Sequence, residues 1–327
     1  MTQLRPLAAG VTPLETRREV IRSLAEHAER LGYRRFFVAE GWGYDAPVLL
    51  AEIATRTRTI GLGTGVLNVW GRSAAGIAML AATLDEVSAG RFTLGLGAGS
   101  PQLAEGLHEQ QFHAPVQRLG AVTRQVRRLL DGQRVASADG QHGMRLAIAA
   151  RPGLPIHLAA LGPWAVRLAG EVADGWNPFL LPRSGLKDAI GLLEDGAGRA
   201  GRAAPRVCPG LPAAVASDPA QARALASWWV VHYLTSMGPL YGEALRRAGL
   251  GGAVDTVLAA NPTRGTADVP PAGQVLLDEL TVHGDAAAAR VALQRWYDAG
   301  ADEPVVVLPP GRPQAELDHI LEALQPG

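Results

Sequence analysis

Short apolar runs bounded by glycine alternate with longer stretches of helical period along nearly the whole chain, and this rhythm limits the fold more than any other feature. A strand followed by a helix, repeated about every thirty residues, is the βα unit of a parallel sheet. Strands are expected at 7–11, 35–39, 59–63, 92–96, 156–159, 176–178, 207–216 and 304–308. Helices are expected at 16–31, 46–56, 74–88, 118–130, 163–173, 186–199 and 314–324. Eight such units without a hinge-like linker favour one closed (β/α)8 TIM barrel over 1–327 rather than an open sheet. Residues 219–299 read as mostly helical, broken by a loop carrying Pro262, Pro270 and Pro271, and are taken as an insertion before the last strand.

With 327 residues, 47% of them apolar, the chain can bury a large core. Thirty-one Lys and Arg against thirty-one Asp and Glu remove the field a nucleic-acid binder would use. Cys208, the only cysteine, reads as part of a buried strand end rather than a nucleophile, which fits a reducing compartment. No run of about 18 apolar residues occurs and the first residues lack a signal-peptide core, so a soluble cytoplasmic protein is expected, with no membrane partner.

In such a barrel the chemistry sits where strands end at their carboxyl side. The second strand runs into Glu40-Gly41-Trp42, a carboxylate that could serve as acid or base and an indole that could stack on a ring; a solvated acid and a loop aromatic are the plain alternatives. The third carries alternating Gly61, Gly63 and Gly65 before Val66 and Asn68, leaving one face bare for a ligand or for tight packing. The fourth ends Gly97-Ala98-Gly99-Ser100-Pro101, with Ser100 as helix cap; it lacks the last glycine of a Rossmann fingerprint and the lysine of a P-loop. After the fifth, Leu161-Gly162-Pro163-Trp164 opens a helix whose free N–H groups suit a phosphate or are ordinary capping. Metal motifs are absent: His108 and His113 read as surface residues, and no metal is expected. Trp228 and Trp229, with Tyr233 and Tyr241, read as core packing of the insertion, with a substrate wall or dimer contact as alternatives.

Several of these segments together resemble the bacterial luciferase-like flavin and deazaflavin oxidoreductases, nearest the methylenetetrahydromethanopterin reductase branch that uses coenzyme F420. The resemblance is carried by Leu31-Gly32-Tyr33, Glu40-Gly41-Trp42, residues 60–68, residues 82–97 with their Thr83-Leu84-Asp85-Glu86 start, Ala160-Leu161-Gly162-Pro163, and residues 169–175. It implies a TIM barrel with a non-prolyl cis peptide after the third strand, here Gly65–Val66, forming a bulge against the cofactor ring. It further implies that Gly97, Ala98, Gly99 and Ser100, with Leu161, Gly162, Pro163, Trp164 and Trp176, hold the ring edge and phosphate, while Glu40, Trp42 and Asn68 face the substrate. Three departures stand out: a short first strand, no histidine after the second, and no clear phosphate-binding cation after the fifth, since Arg167 lies a turn inside the helix. The expected function is F420-dependent hydride transfer to or from a small organic substrate, with Glu40 handling the proton, in a homodimer. The alternatives are an FMN-dependent monooxygenase using reduced flavin and O2, and a cofactor-binding barrel without catalysis.

Overall fold

A computed structural model describes residues 5–136, 140–263, 265 and 267–326. Its first half alternates β1 (Ala8–Val11), α1 (Arg18–Arg30), β2 (Arg35–Val38), α2 (Ala46–Arg56), β3 (Gly61–Thr64), β4 (Leu67–Asn68), α3 (Ala74–Val87), β5 (Phe92–Gly97) and α4 (Pro115–Leu130). A small hairpin, β6 (Val135–Ala136) with β7 (Gly143–Met144), precedes β8 (Ile156–Ala159), α5 (Pro163–Val172), β9 (Gly175–Trp176), α6 (Leu186–Arg199), β10 (Arg206–Val207) and β11 (Gly210–Val215). Then come α7 (Pro219–Ser236), α8 (Leu240–Arg247), α9 (Gly251–Ala260), α10 (Gln274–Leu280), β12 (Val282–Gly284), α11 (Ala286–Asp298), β13 (Val305–Leu308) and α12 (Gln314–Ala323).

Every rung of the main sheet is parallel, and the rungs close a ring. β10 pairs with β9 at one end of the order and β11 pairs with β13 at the other, while β13 pairs with β1. β10 and β11 form one broken stave interrupted at Cys208 and Pro209, with a Phe179–Gly210 bridge spanning the break. Pro209 has no N–H to give a ladder, which accounts for two pieces where one strand over 207–216 is expected. The fold is a (β/α)8 TIM barrel.

Strand alternation divides the buried side chains. Ala9, Val11, Phe36, Val38, Val306 and Leu308 pack outward under the helices. Ala8, Phe37, Val305 and Val307 point into the barrel, in one cluster with Trp229, Val230 and Tyr233 of α7. Helix α7 is therefore continuous with the barrel interior.

Residues 219–299 hold helices but also β12, which pairs with the far half of β11 and was not expected. Three residues are too few to show a period of two. The helix expected from 118 starts at Pro115, a proline at the first helical position. Within the stretch expected as a loop after the fourth strand, Gln102–Leu107 forms a π-helical turn.

Candidate functional site

The pairing of β3 with β5 slips at the mouth. Gly63 pairs with Thr93, but Leu67 of β4 pairs with Leu96, so the first strand carries one extra residue against its partner. That is a β-bulge over 64–66, and its Gly65–Val66 peptide is cis, as the resemblance implies. Thr64 Oγ1 takes the place of the missing rung, donating to Gly95 O (2.9 Å) and accepting from Gly95 N (2.8 Å). Glu40 N donates to Val66 O (3.3 Å), tying the bulge to the second strand end.

The glycines expected as a bare ligand wall are filled by the protein itself. A Cβ on Gly63 would lie 2.4 Å from the Phe37 ring, and one on Gly97 would lie 2.7 Å from Val66 Cγ2. The alternation of glycines makes room for Phe37 inside the barrel and seats Val66 on the β5 backbone. Val66 and Gly65 are themselves partly open at the mouth.

Glu40 is buried, its side chain 7% exposed, and both its oxygens are engaged. Arg72 donates from Nη1 to Oε1 (2.5 Å) and from Nη2 to Oε2 (3.0 Å), and Ala46 N donates to Oε2 (3.2 Å). Arg72 also reaches Asp45 Oδ2 at 2.5 Å, and these hydrogen bonds, the one to Glu40 foremost, raise the guanidinium pKa above its ordinary value. Three donors thus occupy the carboxylate, and its charge is held by the arginine.

Asn68 is 3% exposed and holds a turn rather than facing a substrate. Its Oδ1 accepts from Trp70 N (3.0 Å) and Gly71 N (2.9 Å), and its Nδ2 lies 3.1 Å from His108 Nε2. Because Asn68 spends its oxygen on backbone donors, its amide donates and His108 accepts at Nε2. His108, expected on the surface, is half-buried for this reason. Trp70 donates from Nε1 to Ala98 O (2.7 Å), and the Gly99 turn (φ +67°) packs against its indole. Ser100 accepts weakly from Leu103 N (3.4 Å), so it caps the turn.

Beside the Trp70 indole the loop after the fourth strand borders an open hollow of about 500 Å³ with Arg118, His113 and Gln110 in its wall. The Arg118 guanidinium lies 4.5 Å from the Trp70 ring centroid, donates to Val69 O (3.1 Å), and has no carboxylate partner among the described residues. It is a cation beside the mouth that sequence reading missed, because its partner ring lies 48 positions away.

At the fifth strand end, Leu161 is half-buried, Gly162 precedes Pro163 without a side-chain cap, and Trp164 is 75% exposed. Trp176, expected at the cofactor, is a correction: it is fully buried outside the barrel and donates to Ala160 O (2.9 Å). Strand alternation brings the next residue, Asn177, to the mouth instead. His157 inside the barrel has Nδ1 2.9 Å from Asn177 Oδ1, leaving Nδ2 with no partner among the described residues. Thr12, the next inward position after Gly10, is 5% exposed and its Oγ1 has no hydrogen-bond partner among the described residues. The upper layer of inward positions is thus small and apolar at Ala39, Gly65, Gly97 and Ala159, and polar only at Thr12 and Asn177.

Burial holds His157 neutral, lowering its pKa to about 4, with the nearby Arg35 charge acting in the same direction. In the unfolded chain an imidazole takes up its proton near pH 6.5, so between pH 6.5 and about 4 protons bind the unfolded state alone. The stability His157 contributes is complete above pH 6.5 and falls by about 1.4 kcal/mol per pH unit as pH drops through that window. The His157→Gln variant is expected to show a flatter fall in urea midpoint between pH 7 and pH 5 than the parent. Parallel curves would mean that the ring is already charged in the fold.

Trp42 is 54% exposed and faces α7 across a second cavity of about 460 Å³. α7 is pinned by Trp229, whose Nε1 donates to Ala213 O (3.1 Å) and whose ring packs edge-on to Phe179. Trp229 is core, as expected, whereas Trp228 is not: it lines the cavity. Cys208 is buried, and burial raises its thiol pKa, in keeping with a packing role. Among the described residues there is no metal-ligand cluster and no helix long and apolar enough to cross a membrane.

The model of the luciferase-like monooxygenase family matches residues 4–303. A Mycobacterium tuberculosis protein, Rv3520c, named as a candidate coenzyme F420-dependent oxidoreductase, is 30% identical over 91% of this chain and 92% of its own. The 5,10-methylenetetrahydromethanopterin reductase of Methanolobus tindarius is 29% identical over 88% of this chain and 89% of its own. Among solved structures, the coenzyme F420-dependent tetrahydromethanopterin reductase of Methanopyrus kandleri superposes with a TM-score of 0.80 at 20% identity, covering 98% of both chains.

Proposed function

The chain belongs to the luciferase-like monooxygenase family, and from that premise we propose that it is an F420-dependent oxidoreductase moving a hydride between C5 of the deazaflavin and a small organic substrate. The observation that carries this reading is the upper layer of the barrel mouth. A flat apolar ring needs a floor without bulky side chains, and Ala39, Gly65, Gly97 and Ala159 leave one, with Val66 raised on the bulge beside it. A ring with a polar edge needs hydrogen-bonding groups there, and Thr12 Oγ1, buried without a partner, and the open amide of Asn177 supply them. A phosphate-bearing tail needs a cation, and Arg118 stands one indole away from the Gly99 turn. The residues present therefore fit such a group.

When bound, the deazaflavin supplies the two-electron chemistry, and the protein's part is binding, orientation and exclusion of water. His157 fixes Asn177 so that its Nδ2 donors face the mouth. Asn68 and Trp70 hold the turn that carries Gly99, and Glu40 clamps Arg72 and the bulge into one rim. Trp42 and α7 form the opposite wall, where a substrate would lie. Ala98, Ser100, Leu161 and Gly162 sit on the two loops flanking the proposed path of the tail, with Pro163 and Trp164 opening α5 beside it.

Titration of the purified protein with F420 and, separately, with FMN, followed by cofactor fluorescence, is expected to give a dissociation constant for F420 at least roughly tenfold lower. A preference for FMN would replace this reading with reduced-flavin oxygen chemistry. Binding of neither would favour a barrel without catalysis.

A further inference from the structure

The cavity between Trp42 and α7 has a chemistry of its own. Along α7, Trp228, His232, Thr235 and Ser236 recur at helical spacing and face the cavity, while Trp229, Val230 and Tyr233 between them are buried. The His232 ring is stacked on the Trp228 indole, with centroids 5.1 Å apart and planes 13° from parallel, which fixes the face the indole shows. Trp42 shows a second indole from a different element. Thr235 spends its proton on Val231 O (2.8 Å) and lies 3.3 Å from Ser236 Oγ, so the pair offers a hydroxyl-sized acceptor and donor at one end of an aromatic slot. Among the described lining residues there is no lysine, arginine, aspartate or glutamate. The one arginine of α7, Arg223, is turned away to Gln274 and to Val269 O. The sole lysine of the chain, Lys187, is on α6.

We infer that this cavity is the substrate chamber and that it takes a neutral molecule with an aromatic ring and a single alcohol or carbonyl group. The assignment rests on the proposed function for the word substrate, but the binding chemistry stands on the cavity. An anion there would lose hydration with no lysine or arginine among the described lining residues to meet it, whereas a flat neutral ring meets indoles from two elements, Trp42 and Trp228. The volume is that of an ordinary small-molecule site.

Calorimetric titration of the full-length protein with acetophenone and 1-phenylethanol, against benzoate and phenyl phosphate, tests it without turnover. The neutral probes are expected to bind at least about tenfold more tightly than the charged ones. Trp228→Ala is expected to weaken acetophenone about tenfold while Trp228→Phe retains it, and Ser236→Arg is expected to bring in benzoate. Equal binding of charged and neutral probes to the parent protein, or acetophenone affinity untouched in Trp228→Ala, would overturn the assignment. F420 titrated into the same samples separates the two readings: loss of F420 binding with acetophenone retained would remove the proposed cofactor and leave the chamber.

Discussion

Gly95→Ala is expected to destabilise the protein by about 3 kcal/mol or more and to abolish measurable cofactor binding. An added Cβ would stand 2.0 Å from the carbonyl oxygen of Thr64 and 3.0 Å from Val66 Cγ1. The first contact is with backbone, which no rotamer change relieves, and that backbone is held by the two hydrogen bonds of Thr64 Oγ1 to Gly95 itself. The substitution must therefore push the bulge away from β5. For a chain of this size a loss of about 3 kcal/mol lowers the melting temperature by roughly 4–5 °C. Gly97→Ala makes a useful graded companion, since its Cβ would clash with the Val66 side chain at 2.7 Å and otherwise make only ordinary contact with Ala159. A smaller thermal loss with a comparable loss of cofactor affinity is expected, because Val66 rather than the backbone has to move. Gly106→Ala, with nothing within 4 Å of its Cβ, serves as the control. A Gly95→Ala protein that melts with the parent would sink this account of the mouth.

The second large effect concerns the rim charges. Arg72→Met leaves the Glu40 carboxylate, 7% exposed, without its bidentate partner, and is expected to cost about 3 kcal/mol. Glu40→Gln in the same background removes the stranded charge, so the double variant is expected to be more stable than Arg72→Met alone by at least about 1 kcal/mol. Denaturation midpoints of the parent, both single variants and the double variant give the coupling directly. Additive losses would show that the two side chains act independently and would return Glu40 to the list of groups free to handle a substrate proton.

The barrel was legible because its cause is periodic. Repeated apolar runs and helical faces report burial at every unit, and the Gly65–Val66 bond lay within a motif that resembled known relatives. The site was less legible, for physical reasons that differ residue by residue. Trp176 ends a strand of two residues and Asn177 follows it, too short a run for alternation to reveal which faces inward. Glu40 looked free because Arg72, which occupies it, is 32 positions later in sequence. The alternate glycines signalled close approach correctly, but a one-dimensional reading could not say that Phe37 and Val66 would be what approaches. Arg118 and Thr12 carry no motif at all; their interest arises from a stacked indole and from an unpaired hydroxyl, which exist only after folding.

The way α7 is fastened has a bearing on how such a protein can change over generations. Trp229 secures the helix to the Ala213 carbonyl from its buried side, while the residues that meet the cavity project from the other. Anchoring and cavity-facing side chains thus alternate along one helix and touch where the Trp228 and Trp229 rings meet, with centroids 5.0 Å apart. Drift at 228, 232, 235 and 236 can alter what the chamber admits while the strand ends beneath keep their arrangement. A lineage built this way can explore new metabolites through a handful of exchanges on one helical stripe, without reopening the problem of how the barrel folds.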